Sequence, residues 1–146
     1  MHMQIQFYEF GSIPNDGLKF AVITARYKGH WILVRHRERC TWEIPGGRRE
    51  PGEAIADTAR RELVEETGAA VFSLAPVCLY SVKRELSDES YGGLFFAEVE
   101  EWGVLPDSEI AEAARFEQLP QLPELTYPGI QPVLFERTRL FLENGH

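Results

Sequence analysis

From Gln4 to Phe10 polar and apolar residues alternate, the period of a strand that buries one face, and the turn-rich run from Gly11 to Gly17 ends it. Phe20 to Tyr27 and Trp31 to Arg35 are rich in β-branched and aromatic residues, and the interval Lys28 to His30 has the length and the glycine of a hairpin connection. Trp42 to Ile44 reads as a short extended piece stopped by Pro45, Gly46 and Gly47. The period then changes. After the Pro51-Gly52 turn, Ile55, Ala56, Ala59 and Leu63 recur at helical spacing, and Gly68 stands where a left-handed residue closes a helix, which predicts a helix over 54–67. Two more strands are predicted, from Val71 to Val82 and from Gly93 to Trp102, separated by a polar loop from Lys83 to Gly92 that is expected to form an exposed, mobile rim. The stretch from Gly103 to Pro128, punctuated by prolines, is predicted as loop with one short strand at 113–116, and Ile130 to Leu142 as a closing helix. No repeat, low-complexity tract or linker interrupts this pattern, so one domain is expected over residues 1–146.

Composition narrows the class. Hydrophobic residues at 44% and charged residues at 26% are the balance of a globular chain and exclude disorder. The net charge of −8 repels phosphate backbones and anionic lipid, so neither long nucleic acid nor a membrane is expected as a partner. An anionic substrate would need a cation between it and the protein. Cys40 and Cys78 stand in no metal-ligand spacing, which leaves two reduced thiols and a cytoplasmic location as the expectation. No apolar run approaches the roughly 20 residues of a membrane span, and no export signal is read.

The chemistry concentrates in the run GRREPGEAIADTARRELVEETGA, Gly47 to Ala69. On a helix Glu62, Glu65 and Glu66 stand at i, i+3 and i+4, crowding three carboxylates within about 100° of arc. Like charges at these spacings repel, and near a helix C-terminus the dipole adds to the cost. A hard divalent cation reverses the sign of the arrangement. Oxygen-only ligation suits Mg²⁺ or Mn²⁺ rather than Zn²⁺, which takes His or Cys ligands. Arg61, four residues before Glu65, can orient a carboxylate, and the Gly46-Gly47 pair lets backbone approach the cluster because no Cβ blocks it. An acidic helix is more often a solvated face, but here the whole spacing carries the signal.

Gly47, Glu53, Arg61, Glu62, Leu63, Glu65, Glu66 and Gly68 match position by position the Nudix box, G-x5-E-x7-R-E-U-x-E-E-x-G-U, with Ala69 a smaller residue at the last aliphatic place. The chain therefore resembles a Nudix hydrolase, of the MutT-like branch by size, and the run from Trp42 to Gly47 resembles the family as well. The resemblance implies an α/β/α sandwich with a mixed β-sheet. It also implies Mg²⁺-dependent hydrolysis of a nucleoside diphosphate linked to another group, for which a nucleoside triphosphate cleaved to monophosphate and pyrophosphate is the first expectation, 8-oxo-dGTP among them. ADP-ribose, dinucleoside polyphosphates and nucleotide sugars stay open, and RNA ends are less favoured for want of a basic groove. By position Glu62, Glu65 and Glu66 would be metal ligands with the Gly46 carbonyl, and Arg61 and Glu53 orienting groups.

Other candidates follow from charge and position. Glu62, or an extra acid at Glu109 or Glu112, is a candidate general base. Arg48, Arg35, His36 and Arg37 are candidate phosphate contacts, and Tyr91, Trp102, Phe116 and Tyr127 candidate base-stacking rings, each more often a core residue. His2, His30 and His146 are assigned no role. Monomer and homodimer are both open. A module that keeps the fold as a nucleotide sensor would be marked by a broken box, whereas all four box carboxylates are present.

Overall fold

Ala21, Ile23 and Ala25 alternate with Val22 and Thr24, and both sets are apolar or small enough to be enclosed, so this strand lies at the centre of a sheet covered on both faces. The computed structural model describes residues 3–145; His2 and His146 lie outside them. The elements in chain order are β1 (Met3–Tyr8), β2 (Phe20–Tyr27), β3 (His30–His36), β4 (Gly46–Arg48), α1 (Ile55–Thr67), β5 (Ala69–Arg84), β6 (Ser90–Trp102), β7 (Ile110–Phe116) and α2 (Gln131–Glu143). The sheet runs β1-β5-β6-β2-β3-β7, with β4 paired to β2. Neighbours are antiparallel except β2 and β6, which run parallel from Phe20 beside Gly92 to Tyr27 beside Val99. The sheet is thus mixed.

Each face takes one helix. Ile55, Ala59 and Leu63 of α1 pack with Ala21, Ile23 and Ile32 on one side. On the other, Leu134 of α2 packs with Leu33, Tyr80 and Leu94, and a Thr24–Thr138 hydroxyl pair at 2.9 Å ties α2 to β2. This is the expected α/β/α sandwich. Among the described residues no helix is long and apolar enough to cross a membrane. Both cysteines are free, Cys40 exposed and Cys78 buried.

Helix α1 holds the acidic run in place from both ends. Its first residue lacks a cap from its own neighbour, and Asn15 supplies one from the turn after β1: Oδ1 accepts the Ile55 N–H at 2.9 Å while Nδ2 donates to the Glu53 carbonyl at 2.9 Å. At the other end Gly68 adopts φ +80° and its N–H donates to the Val64 carbonyl, as its position in the pattern predicts.

Three expectations need correction. The short extended piece expected at Trp42 to Ile44 and stopped by Pro45, Gly46 and Gly47 forms only isolated bridges at Trp42 and Glu43, and the strand of this region is Gly46–Arg48, paired with β2. Only glycine permits that pairing at Gly46, whose added Cβ would lie 2.4 Å from the Ala21 carbonyl oxygen. The strand expected at 113–116 begins at Ile110, because the pairing with β3 continues past Ala113 through a bulge at Arg35 and His36. Finally, β5 passes through Pro76 by a register shift and runs on to Arg84 while β6 starts at Ser90, so the loop is confined to residues 85–89.

Candidate active site

Arg61 is the hub of the acidic helix. Its Nε and Nη2 donate to the two oxygens of Glu53 at 2.8 and 2.9 Å, its Nη1 donates to Glu62 at 3.0 Å and Glu65 at 3.3 Å, and Nη2 also reaches the Arg48 carbonyl at 2.9 Å. One guanidinium thus fastens α1 to the loop before it and to β4. The bidentate geometry needs the planar fork of arginine. Glu53 in turn accepts from the Glu50 N–H and the Thr58 hydroxyl. The Arg61 hydrogen bond, helped by those two, draws the Glu53 carboxyl down to about 2.

The helix then aims Glu62 and Glu66 at β4. Gly47 lies directly over Glu62, and a Cβ there would fall 2.2 Å from its carboxyl carbon, so the carboxylate fills the space that glycine leaves. Glu66 is buried, with Oε1 accepting the Gly46 N–H at 3.0 Å and His36 Nε2 at 4.0 Å from Oε2. Desolvation pushes Glu66 up to about 8 against the pull of the Gly46 N–H, and it raises Glu62 as well, with Arg61 opposing and Glu65 adding to the shift. Glu65, half exposed, points to solvent at the rim.

A recess opens beside these groups, lined by Arg61, Glu62, Glu65, Glu66 and Glu109 together with the segment from Pro106 to Ser108. The structure therefore brings Glu109 to the box carboxylates. Glu112 is not brought there; it lies within β7, exposed, opposite Arg35 and 3.4 Å from its Nη2. The site fits a divalent cation by the chemistry of its donors: oxygen ligands only, two of them desolvated carboxylates, and a glycine-lined approach. Among the described residues no three acidic, His or Cys side chains already form a closed cage; Arg61 and the Gly46 N–H hold the carboxylates instead.

On the other side of β4 lies a second recess of about 310 Å³, walled by Phe20, Val22, Tyr80, Tyr127 and Leu134 and rimmed by Gly46, Gly47, Arg48 and Arg84. Of the four rings expected to stack on a base, only Tyr127 lines it. Trp102 packs edge-on against Tyr27 and donates its indole N–H to the Thr67 carbonyl, Phe116 packs edge-on against Trp42, and Tyr91 donates to Glu89. Arg48 reaches this recess, whereas Arg35 stacks over Trp42 and donates to the Arg39 carbonyl, and Arg37 pairs with Asp107 at 2.8 Å. His30 opens β3 opposite Tyr27, its Nδ1 against the Lys28 carbonyl. The pattern along the chain did not single out Phe20, Tyr80 or Gln131 as lining residues. Alternation does put Phe20 and Val22 on one face and Tyr80 and Val82 on another, but nothing local says that the two faces meet.

A family model for the NUDIX domain matches residues 17–136. YtkD of Bacillus subtilis (strain 168), provisionally named an 8-oxo-dGTP diphosphatase, is 36% identical over 88 residues, covering 59% of this chain and 53% of the other. An RNA pyrophosphohydrolase of Afipia carboxidovorans is 31% identical over 115 residues, covering 66% of this chain and 69% of the other. The crystal structure of a mutant of the Bacillus subtilis pyrophosphohydrolase BsRppH matches with a TM-score of 0.81 at 28% identity, over 98% of this chain and 91% of that one. The chain spans about half the length of the first curated relatives it matches, 53% and 44%.

Proposed function

The chain belongs to the NUDIX domain family, and on that premise we propose that it is a pyrophosphohydrolase that cleaves a nucleoside triphosphate to the monophosphate and pyrophosphate with a divalent cation, Mg²⁺ or Mn²⁺. The observation that carries this reading is the pairing of two recesses across β4, carboxylate-lined on the α1 side and aromatic-lined on the α2 side. A base in the aromatic recess would leave its phosphates at the glycines Gly46 and Gly47, beside Glu62 and Glu66.

Glu62, Glu65 and Glu66, with the Gly46 carbonyl, are the groups that would hold the cation. When bound, it neutralises phosphate oxygens and makes a water nucleophilic at neutral pH. The protein's own part is placement. Arg61 and Glu53 keep Glu62 and Glu65 from swinging apart, and the cover of Gly47 keeps the Glu62 carboxylate in one place. Glu109 adds a carboxylate on the facing wall, within the same recess, as a group able to take a proton from water. Arg48, at the rim of the aromatic recess, offers a charge-assisted donor to a phosphate.

A second reading, an RNA end as substrate, draws support from the likeness to an RNA pyrophosphohydrolase and to BsRppH, and from the two cations, Arg48 and Arg84, that line the recess. Incubating the protein with Mg²⁺ and a panel of nucleoside triphosphates, 8-oxo-dGTP, ADP-ribose, dinucleoside polyphosphates, nucleotide sugars and a 5′-triphosphorylated RNA oligomer separates these readings. Monophosphate plus pyrophosphate from the free triphosphates supports the first, and pyrophosphate from the RNA alone supports the second. Binding of nucleotide with no product across the panel would refute both and leave a sensing module.

A further inference from the structure

His36 lies outside the acidic helix, yet its imidazole stands between two carboxylates. Nε2 is 3.3 Å from Oε2 of Glu43 and 4.0 Å from Oε2 of Glu66, whose other oxygen accepts the Gly46 N–H at 3.0 Å. The backbone brings the three together. Val34 and Glu43 exchange both of their N–H···O bonds at 2.9 Å, which sets Glu43 beside β3 two residues before His36. The register of β3 against β7 shifts between Arg35 and His36, and a bulge of this kind re-aims the side chain that follows it. Glu43 is held from its far side as well: Oε1 accepts from Arg39 Nη1 at 3.1 Å, and the same Nη1 donates to the Tyr127 hydroxyl at 3.3 Å.

The side chains of Glu43 and Glu66 are only 13% and 8% exposed, so water does little to part their charges. Ionised carboxylates accept and never donate, so an imidazole nitrogen between two of them serves as the donor. A shift of about 1 Å brings Nε2 into hydrogen-bond range of Glu66 Oε2. A carboxylate that ligates a cation binds well only if its rotation is fixed, and outer donors supply that restraint while leaving lone pairs for the metal. The Gly46 N–H restrains one oxygen of Glu66. We propose that His36 is a positioning residue for the cation: set in place by Glu43, it restrains the second oxygen of Glu66, so that the carboxylate meets Mg²⁺ or Mn²⁺ in one orientation. The flanking carboxylates make His36 a poor contact for phosphate, the role its place at the strand end suggested. The inference rests on the reading of Glu66 as a cation ligand given above and adds the residue that orients it.

The test titrates Mn²⁺ into wild type, His36→Leu and His36→Gln without nucleotide, reading the free ion by its electron paramagnetic resonance signal, beside melting curves without metal and triphosphate hydrolysis as a function of Mg²⁺. His36→Leu, which keeps bulk and removes the donor, should weaken Mn²⁺ binding by roughly 10- to 100-fold, the range for loss of an outer-shell partner. Its kcat should recover to within about threefold of wild type as Mg²⁺ is raised, because the ligands themselves are intact. His36→Gln, whose amide nitrogen can take the place of Nε2, should restore the affinity to within about threefold, which a role in packing alone would not give. Should His36→Leu fail to fold, His36→Ala decides. Wild-type Mn²⁺ affinity in a folded variant without the donor overturns the inference, as does no rescue by Gln. Tighter binding in His36→Leu also overturns it, for the imidazole would then act as a competing cation. Hydrolysis by wild type together with unchanged metal affinity in His36→Leu retires the role of His36 and keeps the activity. Mn²⁺ binding that depends on His36, with no hydrolysis of any substrate, retires the activity and keeps the positioning role. A wild type that binds no Mn²⁺ retires both.

Discussion

Adjacent glycines of β4 should respond to the same substitution in opposite ways, because different kinds of atom stand where each Cβ would go. At Gly46 the added carbon would meet the Ala21 carbonyl oxygen at 2.4 Å and the Val22 Cα at 2.9 Å, both backbone of β2. Neither can retreat without parting β4 from β2. Gly46→Ala is therefore expected to destabilise by about 1–3 kcal/mol, as overpacked interiors do, lowering Tm by about 3 to 10 °C in a chain of this size. At Gly47 the obstacle is the Glu62 carboxyl at 2.2 Å, the free end of a flexible side chain. It can move aside, but only by roughly 1 Å or more to regain ordinary contact. Gly47→Ala should thus fold with nearly the wild-type Tm while losing about 10²-fold in kcat, the scale of loss that a 1 Å misplacement of a reacting group produces. Calorimetric melting and steady-state pyrophosphate release with saturating Mg²⁺, on both variants, form the assay. A Gly47→Ala protein with wild-type kcat would refute the placement of Glu62 in the reaction. Equal loss of Tm in the two variants would refute the distinction between backbone and side-chain obstacles.

Further outcomes follow from the same geometry. Glu109→Gln should lower kcat at least tenfold, whereas Glu112→Gln, altering an exposed ion pair with Arg35, should leave it within about twofold; equal effects would show that the shared recess is not the reacting volume. Glu53 is held near 2 against an ordinary 4.5, so its ionised form favours the folded state above about pH 4.5 and that contribution disappears as pH falls towards 2; urea unfolding across this range should show a shallower acid loss for Glu53→Gln than for wild type, and parallel curves would contradict the clamp. Saturating Mg²⁺ should stabilise the fold by ~2.7 kcal/mol at a hundredfold excess over Kd and so raise Tm, and a chelator should remove both the shift and the turnover; a Tm indifferent to Mg²⁺ in wild type would count against ligation by Glu62 and Glu66.

Local pattern carried the chemistry further than it carried the pocket. The helix of Ile55–Thr67, its closing Gly68 and the run of Glu62, Glu65 and Glu66 are properties of residues within a few turns of each other, where the period of 3.6 decides which side chains are neighbours. The same holds for the link from Arg61 to Glu65. Where strands gain their order only by pairing, the pattern misled: β4 is a strand because Gly46 can lie against Ala21, and β7 extends back to Ile110 because β3 offers it partners. Neither fact is present in the segments themselves.

Sequence alone determined the family box, the acidic helix and the order of strands and helices, since each depends on periodicity and spacing along the chain. Tertiary structure decided which of the outlying residues join them. Glu109 and Glu112 are three positions apart and alike in charge, yet only the turn into β7 places Glu109 on the wall with Glu62 and Glu66, while strand pairing commits Glu112 to Arg35. In the same way Phe20, Tyr80 and Gln131 come from β2, β5 and α2, and the recess they line exists only because β2 and β5 flank β6 in the sheet and α2 packs on that face. A cavity is made by surfaces that meet at long sequence separation, and no pattern within one segment records that meeting.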